Sequence, residues 1–265
     1  MNLPFTVNDV LSQHLSGLDN WIDASASSSV PYDNTRMAAD LPGFFRDFEM
    51  DIQTTILPVQ IVQNDDGAIT PASGVPKSVE MPHDYYSSGG GPDFLTTQLR
   101  RRPVRSIQRM RMMLNQQVIL TIPAAWIRPD LRFGVVRIIP YASGATLGIS
   151  GTGLALLQST YGGLDHMPQA VAVDYEAGLP DGWDTSFEFS HVKVAARSFC
   201  ARRILDGISH SLGAGRVSKS ISADGLSQQV QYTRFTDLKN ELDANHTRFK
   251  ESWMAQNTPI IFSVL

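Results

Sequence analysis

The hydrophobic period of this chain changes twice, and that alternation limits what it can fold into. As far as Ile52, apolar residues recur every three or four positions; from Val59 they alternate; after Thr185 the helical spacing returns. A segment with a period of two cannot bury one face as a helix, nor a 3.6-period segment as a strand. The pattern therefore predicts an α+β fold, with helices at both ends packed on a central, mainly antiparallel β layer. The expected organisation is an N-terminal helical segment (1–57), the β layer with long loops (58–180), a helix-hairpin-helix (181–255) and an extended tail (256–265).

In the first segment Val7, Val10, Leu11, Leu15, Leu18, Trp21 and Ile22 predict one amphipathic helix over residues 6–22, followed by a Ser/Ala-rich linker from Asp23 to Ser29. A second helix is expected from Asn34, with Met37, Phe44, Phe45, Phe48 and Ile52 on one face. Pro42 falls inside it, so the pattern predicts a fresh start there with Asp40 as cap. In the middle segment, Val59 to Gln63, the turn residues Asn64-Asp65-Asp66-Gly67 and then Ala68 to Thr70 predict a hairpin. The proline- and glycine-containing stretch from Gly74 to Gly91 predicts a loop. Further strands are expected over Phe94–Leu99, Val104–Met113, Val118–Ile122, Phe133–Pro140 and Val171–Tyr175. The turn dipeptide Pro129-Asp130 would let the strands over 118–122 and 133–140 pair. Ala142 to Gly163 is Gly/Ser-rich and predicts a lid, an insertion or a short helix.

The C-terminal stretch carries the densest pattern. Thr185-Ser186-Phe187-Glu188 has capping-box spacing, and Val192, Ala195, Ala196, Phe199, Leu205, Ile208 and Leu212 follow at helical intervals until Gly213. Ser218 to Tyr232 alternates around Ala223-Asp224-Gly225, which predicts a second hairpin. The last helix places Phe235, Leu238, Leu242, Phe249 and Trp253 on one narrow stripe, with charges of both signs around it.

Composition bounds the chemistry. One cysteine, Cys200, excludes an intramolecular disulfide and suits a reducing compartment; its apolar neighbours predict a buried thiol. The six histidines are dispersed, no His-Glu-x-x-His or Walker sequence occurs, and no metal or cofactor is expected. Gly151-Thr152-Gly153 lacks the remainder of a dinucleotide fingerprint, and neither Gly148-Ile149-Ser150 nor Gly207-Ile208-Ser209 completes a nucleophile elbow. Asp47, Glu49 and Asp51 predict a solvated helical face. These readings favour a non-enzyme. A net charge of -4 argues against a dedicated nucleic-acid binder. No secretory signal is expected from Met1 to Val10, and no apolar run reaches the roughly 20 residues of a membrane span.

Two features point outward. Arg100, Arg101, Arg102, Arg105, Arg109 and Arg111 predict a solvated strand face, charge-assisted pairing with carboxylates of an adjacent subunit, or contact with DNA phosphates. After Trp253, Pro259 breaks the helix, and Ile260-Ile261-Phe262-Ser263-Val264-Leu265 is almost wholly apolar. Such an end either packs on its own β layer or adds to a groove or sheet edge of a partner.

Several blocks carry a family resemblance. Ser220 to Val230 between helices resembles a segment of the neck proteins of tailed bacteriophages. His83-Asp84-Tyr85-Tyr86, Gln98 to Val104, Ile122 to Arg128 and Val173 to Gly178 are similar to that family in the same order. The sequence differs from the family at Ala223, Gln229, its short Ser-rich opening and its tail. The resemblance implies a head-tail adaptor: a structural virion protein, made in the host cytoplasm, whose copies form a ring beneath the portal and continue the DNA channel. By analogy with the portal, the ring is expected to be dodecameric. Its implied partners are further copies, the portal, the next neck or tail protein and, non-specifically, genomic DNA. Pro259, Ile260, Ile261, Phe262 and Leu265 become candidates for portal docking. Asp224, Gly225 and Leu226 become candidates for ring or tail contact, and Arg100, Arg101, Arg102 and Arg105 for inter-subunit or channel charge. The alternatives are another neck component, such as a stopper or tail-completion protein, then a DNA-binding module or an enzyme.

Overall fold

A computed structural model describes residues 3–28, 30–86, 96–138, 166–212 and 225–257, with the backbone alone at 86 and 225–235. The fold is α+β. Two compact units divide the chain: a helical unit that takes residues up to Ile52 and resumes at Asp181, and a β unit from Gln53 to Pro180. The helices from the two ends of the sequence thus pack with one another rather than forming separate segments.

In the helical unit the predicted first helix is two, α1 (Val7–His14) and α2 (Asp19–Ala26), because the chain turns at Gly17 with φ 84°. The second of these occupies much of the expected linker. At the head of α1, Asp9 N–H donates to Thr6 Oγ1 at 3.3 Å while Thr6 N–H donates to Asp9 Oδ2 at 2.7 Å, a reciprocal cap. Helix α3 (Asn34–Asp51) is capped by Asp33, whose Oδ1 accepts from Arg36 N at 2.9 Å. It passes through Pro42 without the predicted restart. The proline removes one intrahelical donor, but Met37, Leu41, Phe45 and Phe48 are buried on both sides of it, and that burial holds the helix together.

Helix α4 (Ser190–Ser211) is the axis of this unit and packs against each of its other helices. It buries Val192, Ala196, Phe199, Cys200, Ile204, Leu205 and Ile208. A Cβ at Gly207 would stand 2.5 Å from the Tyr32 ring, so only glycine permits this approach. The helix starts five residues after the expected capping box: Thr185 Oγ1 instead donates to Gly182 O, and Glu188 N–H donates to Ser186 Oγ, which builds a turn.

Helix α5 (Gly225–Asn257) replaces the predicted second hairpin from Gly225 onward; residues 213–224 lie outside the described set. An isolated two-stranded hairpin is marginal in water, whereas extending an existing helix avoids a new nucleation step. Leu226 and Val230 are also spaced as one helical face, which the alternation concealed.

The described residues of the β unit hold nine strands: β1 (Val59–Gln63), β2 (Lys77–Glu80), β3 (His83–Tyr86), β4 (Thr96–Gln98), β5 (Val104–Leu114), β6 (Gln117–Thr121), β7 (Ile127–Asp130), β8 (Val135–Ile138) and β9 (His166–Ala177). Six form a sheet in the order β2-β1-β9-β5-β6, with β3 also on β9; β4, β8 and β7 form a second sheet. Strand β9 is the keystone. One edge takes β1 at Tyr175–Ala177 and β3 at His166–Val171, and the other takes β5. With neighbours on both edges, residues 170–175 are all buried, an apolar run broken only by Asp174.

Three expectations change here. Strand β1 pairs in parallel with β2 rather than in a hairpin with 68–70. The expected loop from Gly74 to Gly91 contains β2 and β3; Pro76 and Pro82 mark strand boundaries, where the missing donor costs nothing. Pro129-Asp130 lies within β7, which pairs with β8, while β6 pairs with β5 across Asn115-Gln116, both at positive φ as a tight two-residue hairpin requires. At the end of β9, Gly178 (φ 137°) lies against Pro58, whose Cα would be 2.9 Å from any added Cβ. The 142–163 stretch lies outside the described residues.

Candidate functional site

The arginine run acquires partners through strand alternation. Arg109 and Arg111 are two apart on β5 and point to one face, where β9 supplies Asp174 and the turn after β1 supplies Asp66. Asp174 is 0% and Arg111 1% exposed. Arg111 Nη2 donates to both oxygens of Asp174 at 3.0 and 2.9 Å, and Arg109 Nε donates to Oδ2 at 2.8 Å. Gln63 N–H gives Oδ1 a further bond at 2.9 Å. Arg109 then grips Asp66 with two bonds of 2.9 Å, which hold that carboxyl well below the usual carboxylate range.

The network extends into the sheet. Gln63 Oε1 accepts from Val173 N at 2.9 Å, which orients its amide so that Nε2 donates to His83 Nε2 at 3.0 Å. Burial pushes His83 down to about 4, helped by the Arg100 charge and opposed by Asp84, so its ring is neutral near neutral pH. Every charge in this cluster has an opposite number. The arrangement fixes the turn Asn64 to Gly67 to the sheet.

Two grooves lie among the described residues of the helical unit. One, of about 540 Å³, is lined by α3, α4 and α5 and crossed by ion pairs: Asp51 receives His246 Nε2 at 2.7 Å and Lys250 Nζ at 2.6 Å, and Arg202 Nε meets Asp243 at 2.6 Å. Asp47, 3.6 Å from Arg203, belongs to the same rim. Asp51, one of the carboxylates expected on a solvated face, is thus a latch for α5. Burial raises the Asp51 carboxyl, but the bonds and charges of Lys250 and His246 outweigh it and leave it lowered. The second groove, about 480 Å³, runs between α1, α4 and α5, with apolar walls at Val194, Leu238, Leu242 and Phe249. Three polar atoms among its lining residues have no hydrogen-bond partner: His14 Nε2, Ser198 Oγ and His246 Nδ1.

Of the residues singled out from sequence, Arg101 pairs with Glu80 at 2.8 Å and Arg105 with Glu176 at 2.7 Å, while Arg100 donates to the Pro82 carbonyl at 3.4 Å. The backbone O of Arg102 accepts from Thr55 N at 2.8 Å. Much of this run is therefore occupied by acceptors of its own chain, in place of a freely solvated face. Gly225 and Leu226 open α5; Asp224 and the tail residues Pro259, Ile260, Ile261, Phe262 and Leu265 lie outside the described residues. Cys200 is buried, which pushes its thiol up to about 12. Among the described residues no group of three or more His, Cys, Asp or Glu is placed to hold a metal ion. None of their helices is long and apolar enough to cross a membrane.

Sequence reasoning missed the roles of Asp174, Asp66 and the Asp51 latch. A readable signal existed for the first, since a lone acid inside the apolar run from Val171 to Tyr175 must find a cation if it is buried. The latch has no such signal, because Asp51 and His246 are brought together only by tertiary packing. Neither a protein-family model nor a curated protein matches this chain.

Proposed function

We propose that this chain is a structural protein of a tailed-phage neck, a head-tail adaptor whose copies form a ring beneath the portal and extend the DNA channel. The observation that carries the reading is the set of resemblance blocks, in family order, together with where four of them fall. His83 to Tyr86 forms β3, Gln98 to Val104 leads into β5, Ile122 to Arg128 leads into β7 and Val173 to Gly178 ends β9. Two of these meet directly, where Val104 pairs with Ala177 and Arg101 N–H donates to Tyr175 Oη at 3.2 Å, and β3 pairs with β9 just ahead of them, at His166 to Val171. In the fourth, Trp126 is buried in the same core as Tyr175. Four of the five blocks thus fall in the β unit and border its core, and this grouping supports the reading.

In this reading the apolar tail from Pro259 to Leu265 docks on the portal as an added strand or groove filler, and the opposite side of the ring receives the next neck component. The test is co-sedimentation with portal rings of the same phage, using the full chain and a truncation after Asn257. Binding of the full chain alone supports both the adaptor role and tail docking. Binding of both supports the adaptor and assigns the tail to its own protomer. Binding of neither removes the chain from the portal and moves it to a lower neck position.

A further inference from the structure

Over residues 96–138 the sequence carries nine arginines, no lysine and one carboxylate, Asp130, an excess that the chain's net charge of -4 conceals. The structure neutralises some of these arginines and leaves others. Arg101, Arg105, Arg109 and Arg111 meet carboxylates brought from outside the span, Glu80, Glu176, Asp174 and Asp66. Arg100, Arg102, Arg128 and Arg137 form no ion pair among the described residues. Arg100 bonds the carbonyls of Met81 and Pro82, and Arg128 Nη1 bonds those of Ala125 and Ile127.

Two of this second group stand abreast. Strands β7 and β8 are antiparallel with Arg128 opposite Arg137, and on the other side of β8 Thr96 of β4 is opposite Arg137. Residues so paired share a face, and every second residue along each strand joins them. That face carries Arg128 and Asp130 on β7, Val135 and Arg137 on β8, and Thr96 and Gln98 on β4; Val135 is half-buried and the other five are exposed. Thr97, Val136 and Ile138 point the other way and are buried. Asp130 lies at the turn end, where its Oδ1 accepts from Phe133 N–H at 3.3 Å. Arg102 borders the same turn, its Cβ 3.5 Å from one built on Gly134. Like charges directly opposite in a sheet cost stability, and among the described residues no carboxylate bridges this pair. A local rule broken in this way marks a surface whose counter-charge comes from outside the chain.

We infer that this face of the three-stranded sheet binds the phosphodiester backbone of nucleic acid. A carboxylate of another protein is a single planar anion that one guanidinium already satisfies. Two guanidiniums a strand apart, about 5 Å, fit an anion that recurs along a line. Thr96 and Gln98 add the hydroxyl and amide side chains that also serve phosphates. The face has no aromatic ring on which to stack a base, and three strands are wider than the two-stranded ribbon that a major groove admits. Recognition is therefore of the backbone alone and independent of base sequence. The inference deepens the neck reading above and rests on it for the source of the phosphates, the DNA that passes through the ring. It also moves the outward charge from Arg101 and Arg105, which their own chain neutralises, to Arg128 and Arg137.

The test measures binding of the full chain to two fluorescent DNA duplexes of unrelated sequence, by anisotropy across a salt series. It compares the parent, the double variant Arg128→Gln/Arg137→Gln and, as control, Arg46→Gln at an exposed position of α3. The parent is expected to bind both duplexes alike, more tightly as salt falls. In the double variant the slope of log affinity against log salt should shrink by about 2, since each phosphate contact contributes about 0.9. The control should keep the parent slope, and the double variant's melting temperature should hold or rise, because a like-charge pair is gone. No binding by the parent at low salt, or an unchanged slope in the double variant, overturns the inference. So does a double variant that loses self-association in sedimentation velocity but keeps its duplex affinity, which would give the face to carboxylates of a neighbouring copy. Portal co-sedimentation is read from the same proteins. Sedimentation of parent and variant with an unchanged slope refutes this surface and leaves the adaptor reading standing; the expected loss of slope without sedimentation of either does the reverse.

Discussion

In the β unit the Asp174–Arg111 pair is 0% and 1% exposed, whereas in the helical unit Asp51, the acceptor of the α5 latch, keeps 33% of its side chain in solvent. Both carboxylates receive two nitrogen-bearing side chains at comparable distances. What differs is the fate of the charge when its partner goes. Water can reach Asp51 and take over from a lost lysine. It cannot reach Asp174, so a lost arginine leaves that carboxylate short of a partner in a low-dielectric sheet. Similar bond lengths thus support very different dependence of the fold on each pair.

The strongest way to break this comparison is at the buried end. Asp174→Asn is expected to cost about 3–5 kcal/mol of unfolding free energy, because Arg111 stays buried with only the exposed Asp66, at 3.3 Å, as counter-charge. Urea denaturation measures it, and a loss under about 1 kcal/mol would mean that water enters the cluster. In a double-mutant cycle with Arg111→Met, the coupling should be on the order of 1–3 kcal/mol.

The next effect is a pH dependence. Burial lowers the folded pKa of His83 from 6.5 to about 4. A histidine with a depressed folded value binds its proton more readily when unfolded, so its stabilisation is complete above the unfolded pKa and is lost as pH falls from 6.5 towards 4. The full span is worth on the order of 3 kcal/mol. Unfolding free energy measured across that window should fall with acid in the parent protein, and the slope should flatten in His83→Gln. An equal slope in both would place the acid sensitivity elsewhere.

The smallest effect belongs to the latch. Asp51→Asn should cost about 1 kcal/mol or less, and the loss should shrink as salt is added. A loss as large as that of Asp174→Asn, or one indifferent to salt, would make the latch a buried pair in all but exposure and erase the contrast.

These contrasts also mark where reading the sequence succeeds. Periodicity located α3, α4, β1, β5 and β9 because each buries one face, or both, against neighbours that impose a regular pattern. It failed where partners are remote or local signals compete. Strand β2 is edge-like and half-exposed, with its parallel partner β1 more than a dozen residues away, so only its flanking prolines were visible. Residues 225–232 satisfy two periods, and the helix that follows decided between them. Arg109 and Arg111 were legible as a cluster, yet their acceptors come from a different strand and a turn, which no local window contains.

The interrupted path of the chain has a consequence for its synthesis. Helices α1 to α3 leave the ribosome first, but the helix that covers their apolar faces, α4, is separated from them by the whole β unit. At ordinary elongation rates that wait lasts on the order of ten seconds. Within the β unit the wait repeats in miniature, since β1, β3 and β5 all depend on β9, its last strand. Each newborn copy therefore exposes Met37, Phe45 and Phe48 until late in its making, and a chaperone that shields short aromatic-rich helices would find its client there.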